Sequence, residues 1–470
     1  MAMRSISALG ALMLLLGGCA SFSRDGGFGA VESAAKQHLG KELRWVRSDD
    51  DEKIVRDRVG ELVKEPLTSE SAVQLALLNN RGLQAAYNDL GIAEADLVQS
   101  GRLPNPSFRF ERLATSSGLL SIERTLAFNL LSILTMPIAY DIEKRRFKTA
   151  QLRAASEVLR LAADTRRAYY AAVAAQQIVR YVEQVRDASE ASAQLARRMR
   201  QAGNFSRLTA ARERLFYATT IAQLARARLA ASADRERLAR LLGVWGETLA
   251  FKLPDRLPFL PAQPREFAEL EAIAMAQRFD IRMGQREMEG LANSLGLTRA
   301  TGFINVLEAG YRRNAIKGEP RQTGYEIELT IPIFDFGDAK MARAEELYRQ
   351  AANRLAETAI NARSQVREAY EAYRTIYDVA RHYEREIVPL ASAISEENLL
   401  RYNGMLIGTF DLLADAREQI QAVMSTIEAL REFWTADATL DAALTAGGES
   451  GGSARPTMRM VAPAGGGSPH

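Results

Sequence analysis

Most of this 470-residue chain consists of two copies of one pattern, and this duplication restricts the possible folds more than any other feature. Each copy begins with a helix of moderate length, predicted in the first copy from Pro66 to about Gly101 with Thr68 or Ser69 as its N-cap. It continues with a strand pair and ends with two long helices. Leu83 in the first copy corresponds to Ile281 in the second, 198 positions later. We assign the copies to residues 66–250 and 264–445, joined by a proline-rich linker at 251–263. The chain is therefore expected to fold into two similar units.

Composition predicts that each copy ends in a pair of very long antiparallel helices. Residues 147–253 contain no proline and are rich in Ala, Arg, Leu, Glu and Gln, which favour helix. In the first copy we predict a helix at about 141–202, a turn at Gly203-Asn204 and a return helix ending near Leu242. In the second copy we predict helices at about 338–402 and 408–444 around a turn at Asn403-Gly404. A helix of about 60 residues is on the order of 90 Å long, which is more than a compact domain needs.

The first long helix of the second copy carries a sustained heptad pattern. Its apolar residues are spaced alternately by four and three positions, which is typical of a coiled-coil seam. Pro389 lies inside this pattern and predicts a kink that costs about 3 kcal/mol. The seam residues are Leu355, Ala359, Ala362, Val366, Ala369, Tyr373, Ile376, Ala380, Tyr383, Ile387, Leu390 and Ile394.

Between the shorter and the longer helices, each copy alternates apolar and polar residues with the period of a strand. Strands are predicted from Ser107, on both sides of a turn at 116–118, and at 303–313 and 323–333. Pro137 is predicted to end the first strand pair. In the second strand Ile122, Leu126, Phe128 and Leu130 share one face, which Arg124 interrupts, so the register stays open. In the fourth strand Ile327, Leu329, Ile331 and Ile333 face away from Glu326, Glu328 and Thr330.

Four strands are too few to close a membrane barrel. A closed barrel needs at least about eight strands, and an open strand edge cannot face lipid. Two alternatives follow: either the strands lie outside a membrane, as in a soluble coiled-coil bundle with two incidental hairpins, or several chains share one barrel.

An export leader is predicted at residues 1–18. Residues 6–16 are apolar, but this run is too short to span a bilayer, for which about 20 residues are needed. Cys19 follows Leu16-Gly17-Gly18 and is the chain's only cysteine, so no intrachain disulfide can form. The pattern resembles a bacterial lipoprotein signal, in which the cysteine becomes the first residue and carries fatty acyl chains such as palmitate. The alternative is an ordinary signal peptide with an incidental cysteine.

The rest of the composition narrows the classes of function. A formal net charge of +3 is not the electrostatic footprint of a nucleic-acid-binding protein. His38, His382 and His470 are scattered outside any metal or catalytic motif, so we expect no enzyme, no cofactor and no metal site. Residues 19–65 are a polar lead-in whose run Asp49-Asp50-Asp51-Glu52 predicts a solvated face or loop. Residues 446–470 are rich in Gly, Ser and Pro and predict a disordered tail.

Over about residues 66–445 the chain resembles the TolC-like outer-membrane efflux proteins. The segments that carry this resemblance are Leu67-Thr68-Ser69-Glu70-Ser71-Ala72, Leu103-Pro104-Asn105-Pro106-Ser107, Ile331-Pro332-Ile333-Phe334-Asp335, and Arg401-Tyr402-Asn403-Gly404 continuing through Phe410-Asp411-Leu412-Leu413-Ala414-Asp415-Ala416-Arg417. The resemblance implies a mainly α fold with a small β part. In it, duplicated helical hairpins form a periplasmic α-barrel, and three chains with four strands each share a 12-stranded outer-membrane β-barrel.

The same resemblance implies a passive export duct. Its homotrimer would lie in outer-membrane lipid and dock to a periplasmic adaptor (membrane fusion) protein and an inner-membrane pump. Ala20 and Ser21 after the cysteine suit sorting to the outer membrane. The alternative is a non-channel periplasmic coiled-coil scaffold or adaptor lipoprotein. A duct needs apolar strand faces toward lipid, and the strand at 327–333 supplies one.

The resemblance also supplies the candidate site residues. Gly203, Asn204, Asn403 and Gly404 are expected at the tips that dock to the adaptor. Asp411 is expected to form a ring of three carboxylates at the aperture, with Asp415 one turn further on, and Tyr402 and Arg401 as tethers. The bland alternative is that Asp411 only favours the start of its helix through the helix dipole. Thr209 stands in the first copy where the second has Asp411, so the two tips are expected to differ.

Overall fold

The computed structural model describes residues 20–114, 116, 120–301, 307–329, 334 and 336–447, with the backbone alone at 297–301, 409–411, 413 and 414. The helices are α1 Phe28–Leu39, α2 Asp49–Leu62, α3 Ser69–Asn79, α4 Arg81–Ser100, α5 Leu130–Gln201, α6 Arg207–Leu242, α7 Leu270–Gln277, α8 Phe279–Thr301, α9 Asp338–His382, α10 Val388–Asn403 and α11 Thr409–Thr445. The strands are β1 Ser107–Ala114, β2 Leu120–Asn129, β3 Leu307–Ile316 and β4 Gln322–Leu329. The predicted fold class is confirmed.

The helix that opens each copy is interrupted at an equivalent position. Asn80, with ψ 116°, separates α3 from α4, and Arg278, with ψ 127°, separates α7 from α8, 198 positions later. The single helix predicted from Pro66 to Gly101 is therefore wrong. The Asn80 side chain accepts a hydrogen bond from the Leu83 amide at 3.0 Å, which caps a new helix. Thr68, a predicted N-cap, does cap α3.

The charged lead-in is folded against the first copy. Its acidic run forms the first turn of α2, where Ser48 accepts from the Asp51 amide at 3.2 Å, so it is an exposed helix start rather than a loop. Trp45 is buried on α4 and donates to Asn88 at 3.1 Å. Ala20 lies at the opposite end of α4, beside Gly101. The lead-in thus runs along α4.

The longest helix begins earlier than its proline indicates. Asn129 ends β2, and its side chain accepts from the Ser132 amide at 2.8 Å, so α5 starts at Leu130. Pro137 lies inside the helix instead of ending the strand pair, and Leu130 belongs to the helix rather than to the strand. Because a proline near a helix start removes only one interior hydrogen bond, the 72-residue helix continues for about 110 Å.

The four strands form one antiparallel sheet in the order β1-β2-β3-β4. The register settles the position of Arg124, which pairs with Phe110 on one side and Arg313 on the other. β3 is described from Leu307 to Ile316 and β4 from Gln322 to Leu329, so the predicted strand residues 303–306 lie outside the described part of the chain. The predicted positions of Thr330, Ile331 and Ile333, like the turn residues 117–118, lie outside the described residues. Outer edges of β1 and β4 have no partner strand within the described chain.

The heptad pattern holds only up to a π-helical turn at Tyr383–Ile387. Ala362, Val366 and Ala380 are buried as predicted. Beyond the turn, Leu390 and Ile394 are exposed, so the seam is not buried within the chain there. A π turn adds a residue to the helical repeat and rotates the following residues away from the seam. It directly precedes Pro389, where a regular α-helical hydrogen bond could not form.

The main cores lie where the short helices and the linker pack on the middle of the long helices. Tyr377 donates to the carbonyls of Pro261 and Ala262, both at 3.0 Å, which fixes the linker on α9. Trp434 of α11 stacks on Tyr170 of α5, with ring centroids 5.3 Å apart, and so joins the two copies. Among the described residues, no helix combines the length and the apolar character needed to cross a membrane.

Candidate functional site at the helical tips

The first tip is a tight turn between α5 and α6. Gly203 has φ 80°, a left-handed conformation that glycine adopts without strain. The Asn204 amide donates to the Met199 carbonyl at 2.9 Å. Ser206 then caps α6 by accepting from the Thr209 amide at 3.0 Å. The predicted turn at Gly203-Asn204 is therefore present.

The second tip has the same bond pattern displaced by 202 positions, and its turn lies later than predicted. Asn403 is the last residue of α10, and Gly404 has φ −78°. The left-handed residue is Met405, with φ 59° and 94% exposure. The Leu406 amide donates to the Arg401 carbonyl at 2.9 Å, which is the counterpart of the bond from Asn204 to Met199 in the first tip. An L-residue in this conformation costs about 1 kcal/mol, which the first tip avoids with glycine.

The candidate aperture residues lie on both sides of this second turn. Asp411 is in the first turn of α11, and its side chain lies outside the described atoms. Arg401 donates to Glu397 of its own helix at 3.0 Å. Tyr402 is exposed, and Asp415 accepts a hydrogen bond from Asn398 across the hairpin. Within one chain, Arg401 is therefore held by α10 and is not brought to Asp415.

A buried ion pair near the tips was not anticipated from the sequence. Arg417 of α11 donates to Glu213 of α6 at 3.2 Å, and Ser192 of α5 donates to the other carboxylate oxygen at 2.9 Å. The Arg417 guanidinium also lies 4.4 Å from the ring centre of Phe216. Only 2% of the Glu213 side chain is exposed, against 39% for Arg417. Glu213 is the counterpart of Asp415, 202 positions earlier, and this correspondence is the sequence signal that could have marked Glu213 as a candidate site residue.

This ion pair joins the two helical hairpins of the chain. Glu213 and Ser192 belong to the first hairpin, and Arg417 belongs to the second. The equivalent Asp415 bonds only within its own hairpin among the described contacts. The copies thus use one position differently: the first carboxylate links the hairpins, and the second stabilises one of them.

The part of the helical region nearer the sheet carries charges of both signs. A groove of about 900 Å³ between α4, α5 and α8 is lined by Asp89, Asp96, Arg146 and Arg153 among others. Gln84 and Asn88 of α4 accept hydrogen bonds from Val46 and Trp45 of the lead-in. The lead-in therefore contacts the same helix that lines this groove.

Within the described part of the chain, no group of three or more His, Cys, Asp or Glu side chains is placed to hold a metal ion. His38 packs edge-on against Phe279, with ring centroids 5.8 Å apart, and His382 contacts Glu386 of its own helix region at 3.2 Å. Both histidines thus make ordinary structural contacts. His470 lies outside the described residues.

Solved structures of outer-membrane channels have the same fold. The CmeC outer membrane channel of Campylobacter jejuni is 17% identical with a TM-score of 0.69, over 86% of this chain and 89% of that one. The MtrE channel of Neisseria gonorrhoeae in its open state is 17% identical with a TM-score of 0.67, over 83% and 89%. CusC is 16% identical with a TM-score of 0.68, over 80% and 92%. No protein-family model and no curated protein sequence matches this chain.

Proposed function

We propose that this chain is the outer-membrane channel of a tripartite efflux system, a passive export duct built as a homotrimer. The observation that carries the proposal is the four-stranded sheet, whose two outer edges have no partner strand within the described chain, set at the end of helices of which the longest is about 110 Å. The fold shared with solved outer-membrane channels supports it. We infer that three such sheets close into one barrel, and that the helices extend it as a tube through the periplasm.

The two faces of the sheet support a place in the membrane. One face carries Phe108, Phe110, Leu126 and Phe128 on β1 and β2, and the register places Tyr311, Tyr325, Ile327 and Leu329 on the same face. The other face carries all the carboxylates of the described strands: Glu111, Glu123, Glu308, Glu326 and Glu328. An apolar outer face and a polar lumen are the pattern of a membrane barrel.

Helix α6 supports the trimer independently of the sheet. Leu208, Leu215 and Leu229 lie at multiples of seven positions, so they follow one face of the helix, and all three are more than 60% exposed in the single chain. A leucine row at heptad spacing is a coiled-coil surface that lacks its partner. A neighbouring subunit in the tube would cover it.

The N-terminal lead-in supports a lipid anchor at Cys19, which itself lies outside the described residues. Ala20 follows it directly, and a methyl group placed on Gly101 would be 2.6 Å from the Ala20 side chain. Gly101 ends α4 just before β1, at the level where helices give way to strands. An acyl chain on Cys19 would therefore start at the membrane boundary.

The Cys19→Ser precursor is expected to remain unlipidated, because serine lacks the thiol that is acylated. Metabolic labelling with a radioactive fatty acid should mark the parent chain and leave the variant unmarked. Since each buried CH₂ adds about 0.8 kcal/mol, the anchor strengthens membrane attachment, but the barrel would hold the variant as well. Label on the Cys19→Ser chain would contradict the assignment.

The tips are the proposed docking and gating region. We propose that the turns containing Gly203, Asn204, Asn403 and Gly404 meet a periplasmic adaptor protein, through which an inner-membrane pump delivers substrate. In a trimer, Asp411 would form a ring of three carboxylates, with Asp415 as a second ring. Such rings favour cations in a narrow pore. Arg401 and Tyr402 would tether the ring to neighbouring helices.

Replacing Asp411 with Ala is expected to weaken cation preference in planar-bilayer recordings, because three negative charges leave the narrowest part of the pore. Tyr402→Phe is expected to raise the open fraction, because the hydroxyl tether is lost. Glu396→Ala, which removes an exposed carboxylate of α10 near the same tip but not from the ring, is the matched control. Parent-like selectivity and gating in both variants would make Asp411 an ordinary helix-start acid.

The proposed function is tested by native mass measurement and bilayer conductance of the detergent-extracted protein. A trimer that conducts ions supports the duct. A stable monomer with its strands intact would contradict the inference that the sheets of three chains close into one barrel. A trimer that never conducts, with or without the Tyr402→Phe change, would favour the alternative of a non-channel periplasmic scaffold or adaptor lipoprotein.

A further inference from the structure

Three arginines interrupt the apolar face of the sheet. Arg112, Arg124 and Arg313 lie on the same face as Phe108 and Ile327, as the strand register requires. All three side chains are exposed. This face is the one that meets lipid in the proposed channel, so the inference below rests on the proposed function.

The three arginines are close to one another, and no acidic side chain of the described residues pairs with them. Arg124 is directly opposite Arg313 in the β2–β3 ladder, and Arg112 is on the neighbouring strand two residues nearer the hairpin end. None of the ion pairs among the described residues includes them. Arg124 has only a distant contact with the ring of Phe110, 6.0 Å from its centre. Like charges placed directly opposite each other destabilise a strand pair.

The opposite face of the sheet carries an arginine that does have an acidic partner. Arg312, adjacent to Arg313 in sequence, points to the polar face and pairs with Glu123 on the next strand. The carboxylates of the described strands are all on that face. Arg112, Arg124 and Arg313 therefore lie on the face that carries no carboxylate among the described strand residues.

The position along the strands indicates what neutralises them. The strands leave α4 and enter α5 at one end of the sheet, and the hairpin turns lie at the other. Arg112, Arg124 and Arg313 are in the half nearer the turns, beyond the apolar rows of Tyr311 and Ile327. With the helices in the periplasm, this half lies in the outer leaflet. Long arginine stems can reach from there to the headgroups.

We propose that Arg112, Arg124 and Arg313 form a binding site for the phosphate groups of a phosphorylated glycolipid in the outer leaflet. Guanidinium groups bind phosphate oxygens through paired hydrogen bonds, so one phosphate between Arg124 and Arg313 relieves their repulsion. The aromatic and aliphatic residues next to them receive the acyl chains. The trimer has three such sites on its outer surface.

The test compares the double variant Arg124→Gln/Arg313→Gln with the matched control Arg109→Gln/Arg312→Gln, which removes two arginines from adjacent positions on the polar face. Purified trimers in non-ionic detergent are titrated with bisphosphorylated lipid A, with its dephosphorylated form and with inorganic phosphate, and bound lipid is counted by native mass spectrometry. Lipid A affinity should fall roughly tenfold or more in the test variant and stay near the parent value in the control. The dephosphorylated lipid should bind weakly to all three proteins.

Several outcomes would overturn the site. The site is refuted if the test variant binds lipid A as tightly as the parent, or if the control loses as much affinity as the test variant. It is also refuted if the parent does not bind lipid A, or if an equal concentration of inorganic phosphate displaces lipid A from it. Should the double variant not assemble, Arg112→Gln replaces it, with a smaller loss of affinity expected. Conductance of the same preparations separates this proposal from the proposed function. If the parent conducts ions but the substitutions do not change lipid binding, only the lipid site is refuted.

Discussion

Arg417→Ala is expected to lower the free energy of unfolding by about 3 kcal/mol, because it leaves the buried Glu213 carboxylate with Ser192 as its remaining described partner. Removing one partner of a buried ion pair costs about 3–5 kcal/mol. We place this pair at the low end because 39% of the Arg417 side chain is exposed. Denaturant unfolding, followed by circular dichroism and by trimer mass, measures the change.

Replacing Glu213, the other partner of the ion pair, separates the effect of losing the pair from the effect of leaving a carboxylate buried without its arginine. Glu213→Gln is expected to cost less than Arg417→Ala, because the amide keeps a hydrogen bond with Ser192 and the partly exposed Arg417 can reach water. The double variant should be more stable than the sum of the two single effects predicts, since each partner matters mainly while the other is present. Arg214→Ala, an exposed arginine on α6, is the control and should change little. Additive effects would show that Arg417 does not couple the hairpins.

Ile327→Arg is expected to cost about 2–4 kcal/mol if its face meets lipid near mid-depth. Ile327 is 74% exposed and lies four residues along β4 from Thr323, which is opposite Arg313. Four residues correspond to about 10 Å along the membrane normal for a tilted strand, so an arginine here is too deep to reach the headgroups easily.

The matched control is Gln322→Arg, which adds the same charge to the polar face of the same strand. It should leave trimer stability within about 0.5 kcal/mol of the parent. The measurement is urea unfolding of trimers folded into lipid vesicles, together with the heat resistance of the trimer on gels. An Ile327→Arg protein as stable as its control would mean that this face does not meet lipid.

Local sequence patterns predicted those elements that depend on residues close together in the chain. The strand faces were predictable because apolar and polar residues alternate, and the helix starts at Thr68 because the side chain that caps it is adjacent. The turn after α5 was predictable because Gly203 adopts a left-handed conformation without strain. The equivalence of Thr209 and Asp411 followed from the duplication, and the matching bonds of the two tips agree with it.

Other features depended on contacts between distant residues. The break at Asn80 is reinforced by its amide, which donates to the Leu241 carbonyl at 2.9 Å, 161 positions away. The heptad pattern could not show that a π turn rotates Leu390 out of the seam, because the spacing of residues is the same in either helix. Pro137 predicts the end of the strand pair, because a proline gives no sign of how many helical residues precede it.

The sequence by itself determined the strand faces, the long helices and the first tip, because each depends on residues near one another in the chain. It also showed the duplication, because the two copies share one pattern at a fixed offset. Only the tertiary structure decided which side chains from different elements meet. It brought Arg417 to Glu213, 204 positions apart, and placed Arg124 opposite Arg313, 189 positions apart. The physical reason is that spacing fixes the face of a residue on its own helix or strand, whereas its partner depends on how those elements pack and in which register they pair.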